Sequence, residues 1–193
     1  MKRLAVATLV LTAALAFCAV AARAAEHQAT AVLTAPVHEP TSFETMNEAA
    51  VYALKLAYSL SHYYEIGGVI TMLDGKYLIG YPTTDFSGVS VDLNAVLDPG
   101  HYKGVIVANY HTHPCNSNTH EPAVFSPEDL HEDRAFRYPG YMADFCTGDV
   151  HLYQPGVDKL PADAGREGWL GTVIGHFPVD GLVLDSPAML DLL

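Results

Sequence analysis

The run Lys103–His113, "KGVIVANYHTH", requires a sheet to be built around it. Val105, Ile106 and Val107 are successive β-branched residues, which fit the pleated, two-sided burial of a central strand better than a helix. The run ends in His111 and His113. Side chains alternate faces along a strand, so two histidines two positions apart leave the strand end on the same side, which is how a sheet presents two imidazoles to one ion.

The remaining patterns supply neighbours for that strand. Thr41-Ser42-Phe43-Glu44 has the spacing of a capping box and predicts a helix start. Met46, Ala49, Ala50, Ala53, Leu54, Ala57 and Tyr58 then recur at helical spacing, predicting an amphipathic helix to about Ser61. "EIGGVITML", Asp74-Gly75 and "KYLIGY" read as a hairpin. "GVSVDLNAV" is expected to be a third strand, with a turn at Asp98-Pro99-Gly100. Ser126-Pro127-Glu128-Asp129 reads as a second helix start, with Ser at the cap and Pro at the first helical position, and Pro139-Gly140 is expected to close that helix. "YMADFC" and "VHLYQP" around Thr147-Gly148-Asp149 form a second hairpin, and "GTVIGHF" and "GLVL" are two weaker strands. With no internal repeat or low-complexity linker, the fold class expected is α/β (α+β), a mixed sheet with helices in a single domain over 41–193, preceded by an extended arm over 25–40.

Lys2 and Arg3 precede an uncharged run from Leu4 to Ala22, and Ala22-Arg23-Ala24 supplies a small-x-small cleavage pattern, so residues 1–24 are expected to be a secretory signal peptide. The alternative is an uncleaved membrane anchor, although the Ala-rich second half is only weakly hydrophobic. A lipoprotein signal fits less well, because Phe17 is bulky where a small residue should precede Cys18. The formal net charge is −12, and Lys2, Arg3 and Arg23 would leave with the leader, so the processed chain would be more acidic still. Nucleic acid and anionic membrane surfaces are therefore poor partners. The expected location is the periplasm or the exterior, with no stable membrane association after cleavage.

Asp129 falls in the first turn of the second helix, where a carboxylate is favoured by the helix dipole and can reach back toward the strand end. His111, His113 and Asp129 would leave the fourth tetrahedral position of a zinc ion for water, the arrangement of a catalytic site. Glu65, at the head of the first strand, is the candidate base. Gly67 and Gly68 beside it cost a strand up to about 1 kcal/mol each relative to Ala and suggest close backbone approach. Ser126 could hydrogen-bond the oxyanion formed when hydroxide attacks a carbonyl.

Glu65 in "EIGGVI", "HTHP" from His111 to Pro114, and Ser126-Pro127-Glu128-Asp129 together resemble the JAMM motif of JAB/MPN-type metallopeptidases. The resemblance spans roughly Thr41 to Tyr153. It implies an α/β sandwich around a curved sheet, Zn²⁺ held by His111, His113 and Asp129, Glu65 as general acid/base, and Ser126 as a transition-state stabiliser. Twelve positions, 114–125, separate His113 from Ser126, longer than the family's commoner spacing. That loop would border the cleft and leaves the substrate class open. A secreted bacterial branch of the clan, also found in toxin-like polymorphic proteins, is the nearer relative by this pattern.

Each fragment has a plainer reading. Ser126 to Asp129 caps a helix without any metal, and a lone His-x-His is a weak signal; the conjunction of all three in one order is what points to a metal. Cys115 and Cys146 are the cysteines left after leader removal. They can pair, closing a loop of roughly 30 residues and adding about 3 kcal/mol, or Cys115 and His120 can serve as further ligands. His62, His101, His131, His151 and His176 lack a partner pattern and read as surface or hydrogen-bonded residues. Trp169 and Tyr63, Tyr64, Tyr77 and Tyr81 read as core or rim packing. A deaminase-type zinc site fails because no second Cys follows Pro114-Cys115 in range, and a cupin fails because Glu121 lies too far from His113. The function expected is hydrolysis of an amide bond in a peptide or isopeptide, with cell-wall peptides a sensible substrate; the alternative is a non-catalytic binding or effector-associated module on the same scaffold.

Overall fold

A computed structural model describes residues 31–32, 42–60, 62–97, 100–115 and 124–179. The expected signal peptide, most of the arm, Thr41, Asp98-Pro99, His120, Glu121 and the "GLVL" run lie outside these residues. Helix α1 covers Met46–Leu60, one turn beyond the start expected at Thr41–Glu44. The capping box is formed by Thr45 and Glu48 instead: the Glu48 carboxylate accepts the Thr45 N–H at 3.0 Å, and the Thr45 hydroxyl accepts the Glu48 N–H at 3.2 Å. The same Thr-x-x-Glu spacing occurs twice, four residues apart. The earlier copy cannot be helical, because Phe43 exchanges backbone hydrogen bonds of 2.9 and 3.0 Å with Tyr77.

The buried face of α1 is mostly alanine, with Ala49, Ala50, Ala53 and Ala57 beside Leu54 and Tyr58. Such small side chains let the helix lie close on the sheet. They meet Ile66, Ile70, Ala108, Tyr110, Tyr141, Val150 and Leu152 in the main core. Fully burying Leu54 alone contributes about 1.5–3 kcal/mol.

The strands are β1 Ala31–Val32, β2 Gly67–Leu73, β3 Lys76–Ile79, β4 Thr83–Thr84, β5 Val105–His113, β6 Gly140–Asp144, β7 Asp149–Tyr153 and β8 Thr172–His176. They form one curved sheet in the order β1-β4-β2-β5-β6-β7-β8, with β3 pairing with β2. Both expected hairpins form, β2–β3 around Asp74-Gly75 and β6–β7 around Thr147-Gly148. Asp74 and Gly75 have φ of 52° and 77°, the pair of positive values that a tight two-residue hairpin turn demands. "GTVIGHF" supplies β8.

The expected third strand in "GVSVDLNAV" does not form. Asp92 accepts the Asn94 N–H and caps a 3₁₀ turn over Leu93–Val96, so local side-chain capping outcompetes the β-propensity of the valines. Val91 and Leu93 pack on the sheet there, within 3 Å of where a Cβ on Gly67 would stand.

Strand β5 is central, antiparallel to β2 and parallel to β6. A parallel pair needs a crossover, and helix α2, Pro127–Phe136, lies in the connection. It ends at Arg137, in a left-handed conformation with φ 60°, and not at Pro139-Gly140. Gly140 instead opens β6. A smaller core of Phe125, Leu130, Met142, Tyr153 and Ala164 brings together α2, β6, β7 and the short helix α3, Ala164–Glu167, and Trp169 stands edge-on to Tyr153.

Cys115 and Cys146 form a disulfide, tying the exit of β5 to the β6–β7 turn. Among the described residues no helix is long and apolar enough to cross a membrane.

Candidate metal centre

The register of β2 against β5 decides which side chains meet. Gly67 pairs with His111, and extending that register two residues sets Glu65 across from His113. Directly opposed residues in an antiparallel pair project to the same side. The Glu65 Oε1 accordingly lies 3.7 Å from His113 Nε2. Tyr110 and Thr112 occupy the other face: Tyr110 enters the main core, and the Thr112 hydroxyl accepts the Ile66 N–H at 3.0 Å, fixing the chain next to Glu65. The Thr84 hydroxyl donates to the Glu65 carbonyl at 2.8 Å, bracing the same segment from the other side.

Asp129 arrives from the first turn of α2. Its Oδ2 is 3.4 Å from His111 Nε2 and 3.9 Å from His113 Nε2. The same Oδ2 accepts the Ser126 N–H at 2.7 Å, and the Ser126 hydroxyl accepts the Asp129 N–H at 3.1 Å. Ser126 and Asp129 thus form a capping box, and the Ser126 hydroxyl keeps its own hydrogen to donate into the cleft it lines.

All five residues anticipated from the sequence therefore border one cleft of about 320 Å³. Glu65, His111 and His113 are each at most 5% exposed, and their ligand atoms lie within 4.8 Å of one another, a group that could hold a metal ion. Two imidazoles and a carboxylate are donors suited to zinc and its neighbours in the first transition row. His111 Nε2 is buried with Asp129 Oδ2 at 3.4 Å and no well-formed hydrogen bond, so an ion shared with Asp129 would have both donor atoms within reach. Cys115 is in the disulfide and is no ligand.

The electrostatics are strong. Burial lowers the His111 pKa, but Asp129, Glu65 and Asp133 outweigh it and raise it to about 9. Burial works to raise Asp129, yet His111, His113 and the Ser126 N–H hold its carboxyl far below the ordinary range.

Asp133 was not anticipated. It lies four residues after Asp129, hence on the same helix face, is 3% exposed, and lines the cleft. Its Oδ1 accepts the Asn109 amide at 2.6 Å, while its Oδ2 has no hydrogen-bond partner. Burial, with the nearby Asp129 and Glu132, pushes its pKa up to about 7 against the opposing pull of Asn109 and His111. The helical period counted on from Asp129 would have found it.

Gly67 and Gly68 do mark close approach, but to protein: Val91 and Leu93 press on Gly67, and the Tyr110 ring on Gly68. Of the other histidines, His62 stacks on Tyr58 and His176 Nδ1 is 3.1 Å from Asp149. His151, expected to be a surface or a hydrogen-bonded residue, is not at the surface: it is buried within β7, with its pKa lowered chiefly by burial. Comparison of the chain with protein-family models, curated proteins and solved structures finds no match.

Proposed function

We propose that the protein is a zinc-dependent amide hydrolase of JAMM type, acting on a peptide or isopeptide bond. The observation that carries this reading is convergence: Glu65 ahead of β2, His111 and His113 at the end of β5, and Asp129 at the start of α2 meet in one cleft, with 3.4–3.9 Å between their facing ligand atoms. His111, His113 and Asp129 would hold the ion. When bound, zinc supplies Lewis acidity and brings the pKa of a water toward about 7.

Glu65 accepts the proton of the attacking water on its carboxylate and returns it to the leaving amine. Water oxygen bonds to the carbonyl carbon, the C–N bond breaks, and acid and amine are released. The Ser126 hydroxyl, held in place by the Asp129 N–H, donates to the developing oxyanion. Burial of Glu65 and both histidines limits bulk water around the reacting atoms.

A second reading, a non-catalytic binding or effector-associated module, draws on the same geometry. Ser126 and Asp129 satisfy each other as a cap, and the His111–Asp129 pair can persist without any ion. Metal analysis separates the two. About one zinc per purified chain, lost in His113→Ala and Asp129→Ala with the fold retained, supports the hydrolase. Glu65→Gln should keep the zinc and lose hydrolysis; full activity in that variant would remove Glu65 as the base.

A further inference from the structure

One wall of the cleft is acidic and another is apolar. On α2, Glu128 and Glu132 are one turn apart, solvent-exposed, and both line the cleft, with Asp133 buried beside them. Val89, Val91 and Leu93 line it as well, and Val91 and Leu93 are anchored against Gly67. No Lys or Arg is among the described lining residues, and the loop 116–123, "NSNTHEPA", contains none in its sequence.

A divalent ion would offset Glu65 and Asp129, the two carboxylates nearest the histidines. Glu128, Glu132 and Asp133 would remain as uncompensated acid. An acidic cluster alone would be an ordinary solvated face. What sets this one apart is the adjoining Asp133 carboxylate, 3% exposed and lining the cleft, with its Oδ2 unpartnered and turned onto Gly140. Burying a carboxylate with only the Asn109 amide as its partner is costly, and a cation held in the cleft beside it would offset part of that cost.

We infer that the cleft selects substrates carrying a cation on an aliphatic stem, an ammonium or guanidinium that meets Glu128 and Glu132 beside the buried charge of Asp133 while its methylenes lie along Val89, Val91 and Leu93. Lysine-like side chains have this division, an apolar body with a charged tip. A free α-amine next to an aliphatic side chain offers the same chemistry from a different atom. The inference rests on the hydrolase reading for what happens after binding, but recognition itself needs no turnover.

The test is calorimetric titration of the purified protein, with its zinc content measured on the same samples, against three probes built on the same linear four-carbon side chain. Nα-acetyl-lysine amide carries its cation on the side chain, norleucine amide carries it at the α-amine, and Nα-acetyl-norleucine amide carries none. At least one cationic probe should bind about tenfold or more tightly than the neutral one, a difference of roughly 1.4 kcal/mol, and should weaken as salt is raised. The better of the two cationic probes identifies the source of the charge. In Glu128→Gln/Glu132→Gln, which alters exposed positions, the preference should fall at least threefold with zinc content unchanged. Equal binding of charged and neutral probes, absence of binding by both cationic probes, or an undiminished preference in the double variant would overturn the inference. Zinc missing from the wild-type protein would count against the hydrolase reading alone.

Discussion

Oδ2 of Asp129 stands 3.4 Å from Nε2 of His111, so a metal-free protein holds these two side chains as an ion pair. His111 has a folded pKa of about 9 against an ordinary 6.5. A raised histidine stabilises the fold fully below the ordinary value and loses that contribution as pH rises through 9. Asp129 is depressed, so its contribution is present above the ordinary carboxylate value and fades as acid protonates it. Without metal, this pair should stabilise the protein most between about pH 4 and 6.5. Thermal melts of the chelated protein across pH check this.

A metal must displace the His111 proton. At pH 7 zinc uptake should release about one proton, and affinity should climb by roughly tenfold per pH unit toward pH 9. Calorimetry in buffers of different ionisation heat counts that proton. Uptake with no proton exchange at pH 7 would mean that His111 is already neutral, contrary to the geometry.

Ser126→Ala removes a hydroxyl that accepts the Asp129 N–H. A lost N-cap of this kind costs about 0.5–2 kcal/mol, and a glycine at the cap much less. Denaturant unfolding should therefore rank wild type above Ser126→Gly and Ser126→Gly above Ser126→Ala.

Asp133 carries the opposite sign from Asp129. Its pKa is pushed up to about 7, so the fold favours the neutral acid. Its contribution to stability is fully present below the ordinary carboxylate value and is lost as pH rises through about 7. Asp133→Asn keeps an acceptor for the Asn109 amide without the buried charge. In the metal-free protein it should be near neutral at pH 4 and stabilising by about 1–3 kcal/mol at pH 8. A variant that is equally destabilised at both pH values would mean that the carboxylate contributes through its shape and not its charge.

The Cys115–Cys146 bridge spans a separation of 31 residues. Replacing both cysteines with serine should cost about 3 kcal/mol by the loop-closure estimate, measured by denaturant unfolding. Because Cys115 follows the metal strand by two residues, zinc affinity should fall as well.

The parts of this architecture that were legible in the sequence are those governed by local periodicity. The β-branched run before His111, the Asp74-Gly75 turn, and the Ala-rich face of α1 all form where their patterns lie. Side-chain competition hid the rest. Asp92 turned a valine-rich stretch into a 3₁₀ turn, and the pairing of Phe43 with Tyr77 moved the helix cap from Thr41 to Thr45. Helical spacing from Asp129 sets Asp133 on the cleft-facing side, but spacing alone does not tell that its carboxylate is buried. The meeting of Glu65 with His113 depends on a long-range register that spacing alone does not specify.

That register has a consequence for how the protein tolerates change in length. The ladder between β2 and β5 slips once, between Ile70 and Thr71, on the side away from Glu65. Between that slip and the cleft the two strands count residue for residue, so adding or deleting a single amino acid from Gly67 to Ile70 would turn the Glu65 carboxyl to the opposite side of the sheet. Loop growth after Pro114 leaves this alignment untouched. Length variation can therefore accumulate after Pro114, while the stretch joining the acid to the imidazoles is confined to substitution.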